Sequence, residues 1–222
     1  LIVDERITSF INSMNKDDEE IIATIEREAL ADEVPIIRRE TKELIKVLIL
    51  MKRPMKILEV GTAVGFSAIY MSKYMPEGGH ITTIEKYPPR VAEAKKNIAR
   101  TGNESKITLI DGDAIEVLKG MEDSYDMIFM DAAKGQYINF LPDILRLTAK
   151  DGIIISDNVL QDGDVLESHF TVNKRNRTIH CRMREYLYTL KNHDELETAI
   201  VPIGDGVAIS TKLLKPFGFT KE

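Results

Sequence analysis

The sequence predicts an α/β protein built on a doubly wound, mostly parallel seven-stranded sheet, with an antiparallel last strand and a helical extension at its N-terminus. Three observations lead there. Apolar runs of strand length alternate with helix-length amphipathic segments from residue 56 onward. Several of these runs are continuously apolar, as expected of a sheet covered on both faces and therefore parallel. The last two are joined by Ile203-Gly204-Asp205-Gly206, which reads as a hairpin connection. With 222 residues, the chain suffices for one such domain with a substantial core.

Residues 4–14 and 17–32 carry helical periodicity, with Ile21, Ile22, Ile25, Ala29 and Leu30 on one face. Val34-Pro35 interrupts, since proline disfavours helix in the residue before it. Helix resumes over 38–51 and ends at Pro54, so 1–53 reads as an extension packed on a main domain, 54–222. Strands are expected at 56–60, 80–85, 106–110, 125–130, 152–156, 199–203 and 207–212. Helices are expected at 66–75, 88–101, 113–121, 137–149 and 178–192. The segment 160–177 is a long polar loop, of the kind that is usually functional or mobile.

Hydrophobic residues make up 43% and charged residues 30%, an ordinary globular composition. A net charge of −6 argues against a generic nucleic-acid coat but leaves room for a local basic patch. Cys181 is the only cysteine, so no intrachain disulfide framework exists and a reducing, cytoplasmic setting is expected. No apolar run approaches the ~20 residues of a membrane span, so no membrane partner is expected. The start, Leu1-Ile2-Val3-Asp4-Glu5, has neither a basic leader region nor an initiator Met, and a few residues are expected to be missing before it.

KILEVGTAVGFSAIYMSKY, residues 56–74, is a strand, a glycine turn and a helix. In an open parallel sheet, ligands sit beyond the carboxyl ends of strands. The spacing of Gly61 and Gly65 fits neither the dinucleotide fingerprint nor the phosphate loop. A helix start still attracts an anion, and Ser67 is placed to cap the helix or bind that anion. Glu59 would repel a pyrophosphate but suits an amine, so the ligand is expected to be zwitterionic. Glu85, at the end of the second strand, suits a ribose diol. Asp113, after the third, suits an adenine amino group. Ribose, adenine and amino acid together describe S-adenosylmethionine. Taken singly, each of these residues also reads as a cap or a solvated turn.

The fourth and fifth strands both end in an acid: Asp131 opens DAAKGQY and Asp157 opens DNV. Adjacent strand ends lie about 5 Å apart, which would bring Asp131, Asp157 and Asn158 together. Two carboxylates and an amide oxygen suit Mg²⁺, with Mn²⁺ as alternative, rather than zinc. No Cys/His cluster competes, because Cys181 has no partner at ligand spacing and His180 reads as a surface residue. Lys134 beside such a cation suits a general base, or is an ordinary surface lysine.

LEVGTAVGFSAIYM, TIEK, GDA, DAAKGQY and SDNVL together resemble the metal-dependent class I methyltransferases of the catechol and caffeoyl-CoA O-methyltransferase type. The similarity covers about 34–212. Within that family the chain looks most like the bacterial tRNA 5-hydroxyuridine methyltransferases, through VPII at 34–37, DAAKGQY, the basic segment after DNVL, and AIVPIGDGVAIS at 199–210. The resemblance implies a Rossmann-like methyltransferase fold and often a homodimer. It implies donor contacts by Ile37, Glu59, Gly61, Ser67, Glu85, Asp113, Ala114 and Asp131, Mg²⁺ ligation by Asp131, Asp157 and Asn158, and a catalytic role for Lys134 and Asp131. The arginine run of the tRNA enzymes is here Lys174-Arg175-Asn176-Arg177, broken by Asn176.

The acceptor depends on the rim. No acid lies between Glu167 and Glu185, where Lys174, Arg175, Arg177, Arg182 and Arg184 cluster. Such a stretch suits phosphate contacts with the anticodon region of a tRNA, with Tyr137, Phe170 or Tyr186 stacking on a flipped base. A charged helix face or a subunit interface is the plainer reading. Arg38 and Arg39 extend the patch or begin a solvated helix. Two vicinal oxygens are needed for chelation, and 5-hydroxyuridine and catechols both offer them. A tRNA 5-hydroxyuridine O-methyltransferase, a small-molecule catechol or caffeoyl-CoA-like enzyme, and a non-catalytic nucleotide-binding module are therefore all expected alternatives. An NAD dehydrogenase fits less well, because the glycine spacing is wrong.

Overall fold

The computed structural model describes residues 2–215. Three helices come first: α1 (Glu5–Ser13), α2 (Glu20–Ala31) and α3 (Arg39–Lys52). The alternation follows as β1 (Lys56–Val60), α4 (Phe66–Tyr74), β2 (His80–Glu85), α5 (Pro88–Arg100), β3 (Ile107–Asp111), α6 (Ala114–Gly120), β4 (Tyr125–Met130), α7 (Tyr137–Leu147), β5 (Thr148–Ser156), α8 (Arg177–Asn192), β6 (Leu196–Val201) and β7 (Val207–Lys212). Short 3₁₀ turns occupy Lys134–Gln136 and Gln161–Leu166. The expected 160–177 loop is therefore partly ordered.

The seven strands form one sheet in the order β3-β2-β1-β4-β5-β7-β6. The strands β1 to β5 pair in parallel, and β7 runs antiparallel to both β5 and β6. The doubly wound sheet with a reversed last strand is thus as expected. Two strands depart from the expected bounds by more than one residue. β5 begins at Thr148, four residues before the expected start, because Thr148 already pairs with Tyr125 across a register shift. β6 spans 196–201 rather than 199–203, because Leu196 is buried and pairs with Lys212.

Alternating residues of the inner strands supply two cores, one on each face. Ile57, Met127 and Phe129 pack with α2, α3 and α4. Leu58, Ile128 and Met130 pack with α7 and α8. Burial on both faces is what made the strand runs continuously apolar. The strand order reverses between β1 and β4, the switch point at which such sheets bind ligands. The register there is Val60 beside Met130 and Met130 beside Ser156. Gly61, Asp131 and Asp157 consequently follow one another along a single row of strand ends.

Candidate active site

A cleft of about 780 Å³ opens over that row. Gly61, Glu85, Asp113, Ala114, Asp131, Lys134 and Asn158 all line it. Ile37, Glu59, Ser67 and Asp157 do not. Ile37 is buried in the helical core, and Val34, Pro35 and Ile36 face the cleft instead.

The glycine turn is fixed by close contacts. Gly61 has φ +104°, and a Cβ there would lie 2.1 Å from the backbone oxygen of Asp131. Only glycine lets the end of β1 press against the end of β4 in this way. Gly65, φ +82°, takes the N-cap position of α4, so Ser67 is not the cap; it lies buried one residue into the helix. The Glu85 carboxylate accepts from the backbone N–H groups of Ala63 at 3.0 Å and of Lys86 and Tyr87 at 2.9 Å each. It therefore ties the glycine turn to the end of β2. Asp113 caps α6, accepting from Ile115 N–H at 2.9 Å, and pairs with Lys86 at 3.2 Å. The Ile115 N–H, aided by Lys86, holds its carboxyl below the usual range.

Glu59 lies beneath the turn, fully buried. Thr83 Oγ1 donates to its Oε2 at 2.5 Å, while Oε1 has no hydrogen-bond partner among the described residues. Burial raises this carboxyl from 4.5 to about 7, against the opposing pull of hydroxyl donors. The native state thus holds a proton that the unfolded chain releases. Its contribution to stability is full below pH 4.5 and is lost as pH rises through about 7. Urea denaturation from pH 4.5 to 8 is expected to show a decline that Glu59→Gln flattens; an unchanged slope in the variant would place the decline elsewhere.

The acidic pair sits at the ends of β4 and β5. Burial lifts both Asp131 and Asp157 above the ordinary carboxylate range, and the charge of Asp131 raises Asp157 further. Glu59 adds to the effect on Asp131. Asn158 follows at φ 56°, a left-handed conformation that asparagine tolerates, and its backbone N–H donates to Asp157 at 2.8 Å. Tyr137 is fully buried, and its hydroxyl donates to the Met130 carbonyl at 2.9 Å or the Asp157 carbonyl at 3.2 Å. A hard divalent cation fits the chemistry of this donor set, a half-buried carboxylate, a buried one whose charge is opposed by the first, and an adjacent amide side chain.

Lys134 pairs with Asp205 at 3.2 Å. Asp205 is 2% exposed and also accepts from the backbone N–H of Asp162. The sequence analysis missed it, because Gly204-Asp205-Gly206 reads as turn chemistry; its pairing with Lys134 is long-range.

Four expectations about the rim are corrected. Tyr137 and Tyr186 are fully buried and pack edge to face with ring centroids 5.5 Å apart, so neither is free to stack on a base. Phe170 is 84% exposed. His180 is 2% exposed rather than on the surface. Cys181 does have a neighbour at ligand spacing, His169 Nδ1 at 3.3 Å. Among the basic residues, Arg177 donates to the Val172 and Phe170 carbonyls, Arg182 to Gly135 and Arg184 to Val165. Lys174 and Arg175 are exposed, and neither pairs with an acid among the described residues. Arg39 pairs with Glu26 at 3.1 Å and Arg38 with Asp162 at 3.7 Å.

The switch point of this doubly wound sheet opens on a cleft of the kind in which such folds bind their ligands. Residues 12–213 match the O-methyltransferase family, and the chain belongs to it. A catechol O-methyltransferase of Niastella koreensis is 39% identical over 119 residues, 52% of this chain and 54% of that protein, so the match spans about half of its length. Tapetum-specific methyltransferase 1 of Arabidopsis thaliana is 29% identical over 161 residues, 71% of this chain and 69% of that one. A candidate caffeoyl-CoA O-methyltransferase from Staphylococcus aureus superposes with a TM-score of 0.83 at 32% identity, covering 94% of this chain and 98% of that one. Among the described residues no helix is long and apolar enough to cross a membrane.

Proposed function

We propose that the protein transfers a methyl group from S-adenosylmethionine to an acceptor hydroxyl, and that the acceptor is the 5-hydroxyl of 5-hydroxyuridine at the wobble position of tRNA. One observation carries the chemistry: Glu85 and Asp113 share a single cleft with Asp131, Lys134 and Asn158. Glu85 and Asp113 hold the nucleoside of the donor, with Ala114 beside them and Gly61 leaving room at the turn. Asp131, Asp157 and Asn158 hold Mg²⁺ or Mn²⁺, which when bound supplies the Lewis acidity that lowers the acceptor hydroxyl's pKa. Lys134, placed in the cleft beside Asp205, takes the acceptor hydroxyl's proton as a neutral amine and becomes the ammonium that Asp205 pairs with. The acceptor oxygen then forms a bond to the methyl carbon as the carbon–sulfur bond breaks, leaving S-adenosylhomocysteine.

The exposed Lys174 and Arg175, with Phe170 beside them in the chain, support an RNA acceptor, since phosphate contacts of this kind supply much of nucleic-acid affinity. Neutralising both with Ala is expected to raise KM for tRNA about tenfold or more at moderate salt and to leave kcat largely unchanged. A small-molecule acceptor is the second reading. It is favoured by the names of the relatives and by the engagement of Arg177, Arg182 and Arg184 with backbone carbonyls, and it predicts no change in the double variant. The deciding measurement is the nucleoside mass profile of tRNA from cells lacking the protein. Loss of 5-methoxyuridine with gain of 5-hydroxyuridine supports the tRNA reading; an unchanged profile overturns it.

A homodimer in a reducing, cytoplasmic setting completes the proposal. Phe10 on α1, Met14 directly after it, and Leu50 and Met51 on α3 are all more than half exposed, apolar side chains available to a partner copy. Sedimentation is expected to give a dimer that Phe10→Glu dissociates.

A further inference from the structure

We propose that His169, His180 and Cys181 form a second cation site, suited to a thiophilic divalent ion such as Zn²⁺, that fastens the segment from Glu167 to Val172 onto α8. One nitrogen from each imidazole and the thiol sulfur all lie within 4.8 Å of one another. Cys181 Sγ is 3.3 Å from His169 Nδ1 and 4.0 Å from His180 Nδ1. Zinc binds sulfur at about 2.3 Å and nitrogen at about 2.0 Å with tetrahedral angles, which sets sulfur and nitrogen ligands roughly 3.5 Å apart. The two distances bracket that value, so small side-chain rotations complete the site.

A second observation points the same way. His180 Nε2 lies 3.1 Å from the backbone carbonyl of Glu167. A carbonyl only accepts, so Nε2 carries the proton and Nδ1 keeps its lone pair toward Cys181. A ring nitrogen anchored to a carbonyl while the other faces the ion is the usual outer support of a metal-binding histidine. His180 is 2% exposed and held in place. His169 and Cys181 are exposed, which leaves a fourth position open to water.

The donors are one sulfur and two nitrogens. They select differently from the oxygen set of Asp131, Asp157 and Asn158, because soft ligands favour zinc-like ions and oxygens favour Mg²⁺. The site also lies close to the cleft in the fold. Arg182, next after Cys181, donates to the Gly135 carbonyl at 3.0 Å, beside Lys134. An ion here would order the rim segment and α8 together.

Metal titration of the full-length protein tests this, using Co²⁺ and Zn²⁺ alone under reducing conditions. One equivalent of Co²⁺ is expected to give a thiolate-to-metal charge-transfer band that Zn²⁺ removes by displacement. Cys181→Ser and His169→Ala, both at exposed positions, are each expected to abolish the band and to weaken Zn²⁺ binding by about 100-fold or more. Asp157→Asn is expected to leave the band intact. Zn²⁺ should also slow amide hydrogen exchange over 167–172 in the unaltered protein and not in Cys181→Ser. Absence of the band, or Zn²⁺ affinity unchanged in Cys181→Ser, would reduce the cluster to a thiol–imidazole contact and overturn the proposal. Loss of the band in Asp157→Asn would move the ion to the acidic pair and overturn it equally.

Discussion

Asp157→Asn is expected to lower kcat/KM for methyl transfer by on the order of 1,000-fold, about 4 kcal/mol of transition-state stabilisation. The same substitution is expected to raise the melting temperature when measured in a chelator. Both effects come from one arrangement. Asp157 is 2% exposed, and burial together with the charge of Asp131 holds its carboxyl above the ordinary range. Without a cation, removing one charge relieves repulsion and desolvation together. With a cation required, it removes a ligand. Steady-state kinetics across a magnesium titration, paired with melts in chelator, test the two arms. Full activity in the variant would remove Asp157 from the metal site. A lower melting temperature in chelator would show that its charge is compensated by some other group.

Gly61→Ala is expected to be the most damaging Gly→Ala change among the described residues. The new Cβ would lie 2.1 Å from the Asp131 oxygen and 2.7 Å from its carbonyl carbon, both backbone atoms that cannot rotate away, at a φ of +104°. Overpacking and left-handed strain each cost about 1–3 kcal/mol. A combined loss of about 3 kcal/mol or more corresponds to a fall of roughly 6–12 °C for a protein of this size. Gly120→Ala, where a Cβ meets nothing within 4 Å, is the matched control and is expected to shift the melt little. Equal melting of the two variants would show that the β1 and β4 ends part without difficulty.

The fold was legible because its strands are buried on both faces and its turns are marked by glycine and proline. Ile57 and Leu58 serve opposite cores, so the period-two signal vanishes and a solid apolar run remains. Strand ends were harder to read where side chains gave no sign of pairing. Thr148 and Ala149 look like the tail of a helix, and Glu197 and Thr198 look like a loop, yet β5 and β6 include them. In the site, local signals placed residues at strand ends correctly, but partnerships across the fold were invisible. His180 is buried because a carbonyl 13 residues earlier accepts from it. Lys134 meets Asp205 across 71 residues. Tyr137 and Tyr186 advertise aromatic surface in the sequence and spend it on each other. Charge counting along 174–184 likewise could not show that three of its arginines are engaged by neighbouring carbonyls.

The hydroxyl of Tyr137 has a consequence for ionic radius. It reaches both the Met130 carbonyl and the Asp157 carbonyl from the core, and those are the ends of the two strands that carry the acidic pair. The two strand ends are thereby buttressed by a residue that does not line the cleft. Were an ion held there, a larger one would have to lengthen whichever of these hydrogen bonds is made before gaining its full set of oxygens, and a smaller one would not. Discrimination by size would then be written one layer behind the ligands, in a phenol that faces away from solvent.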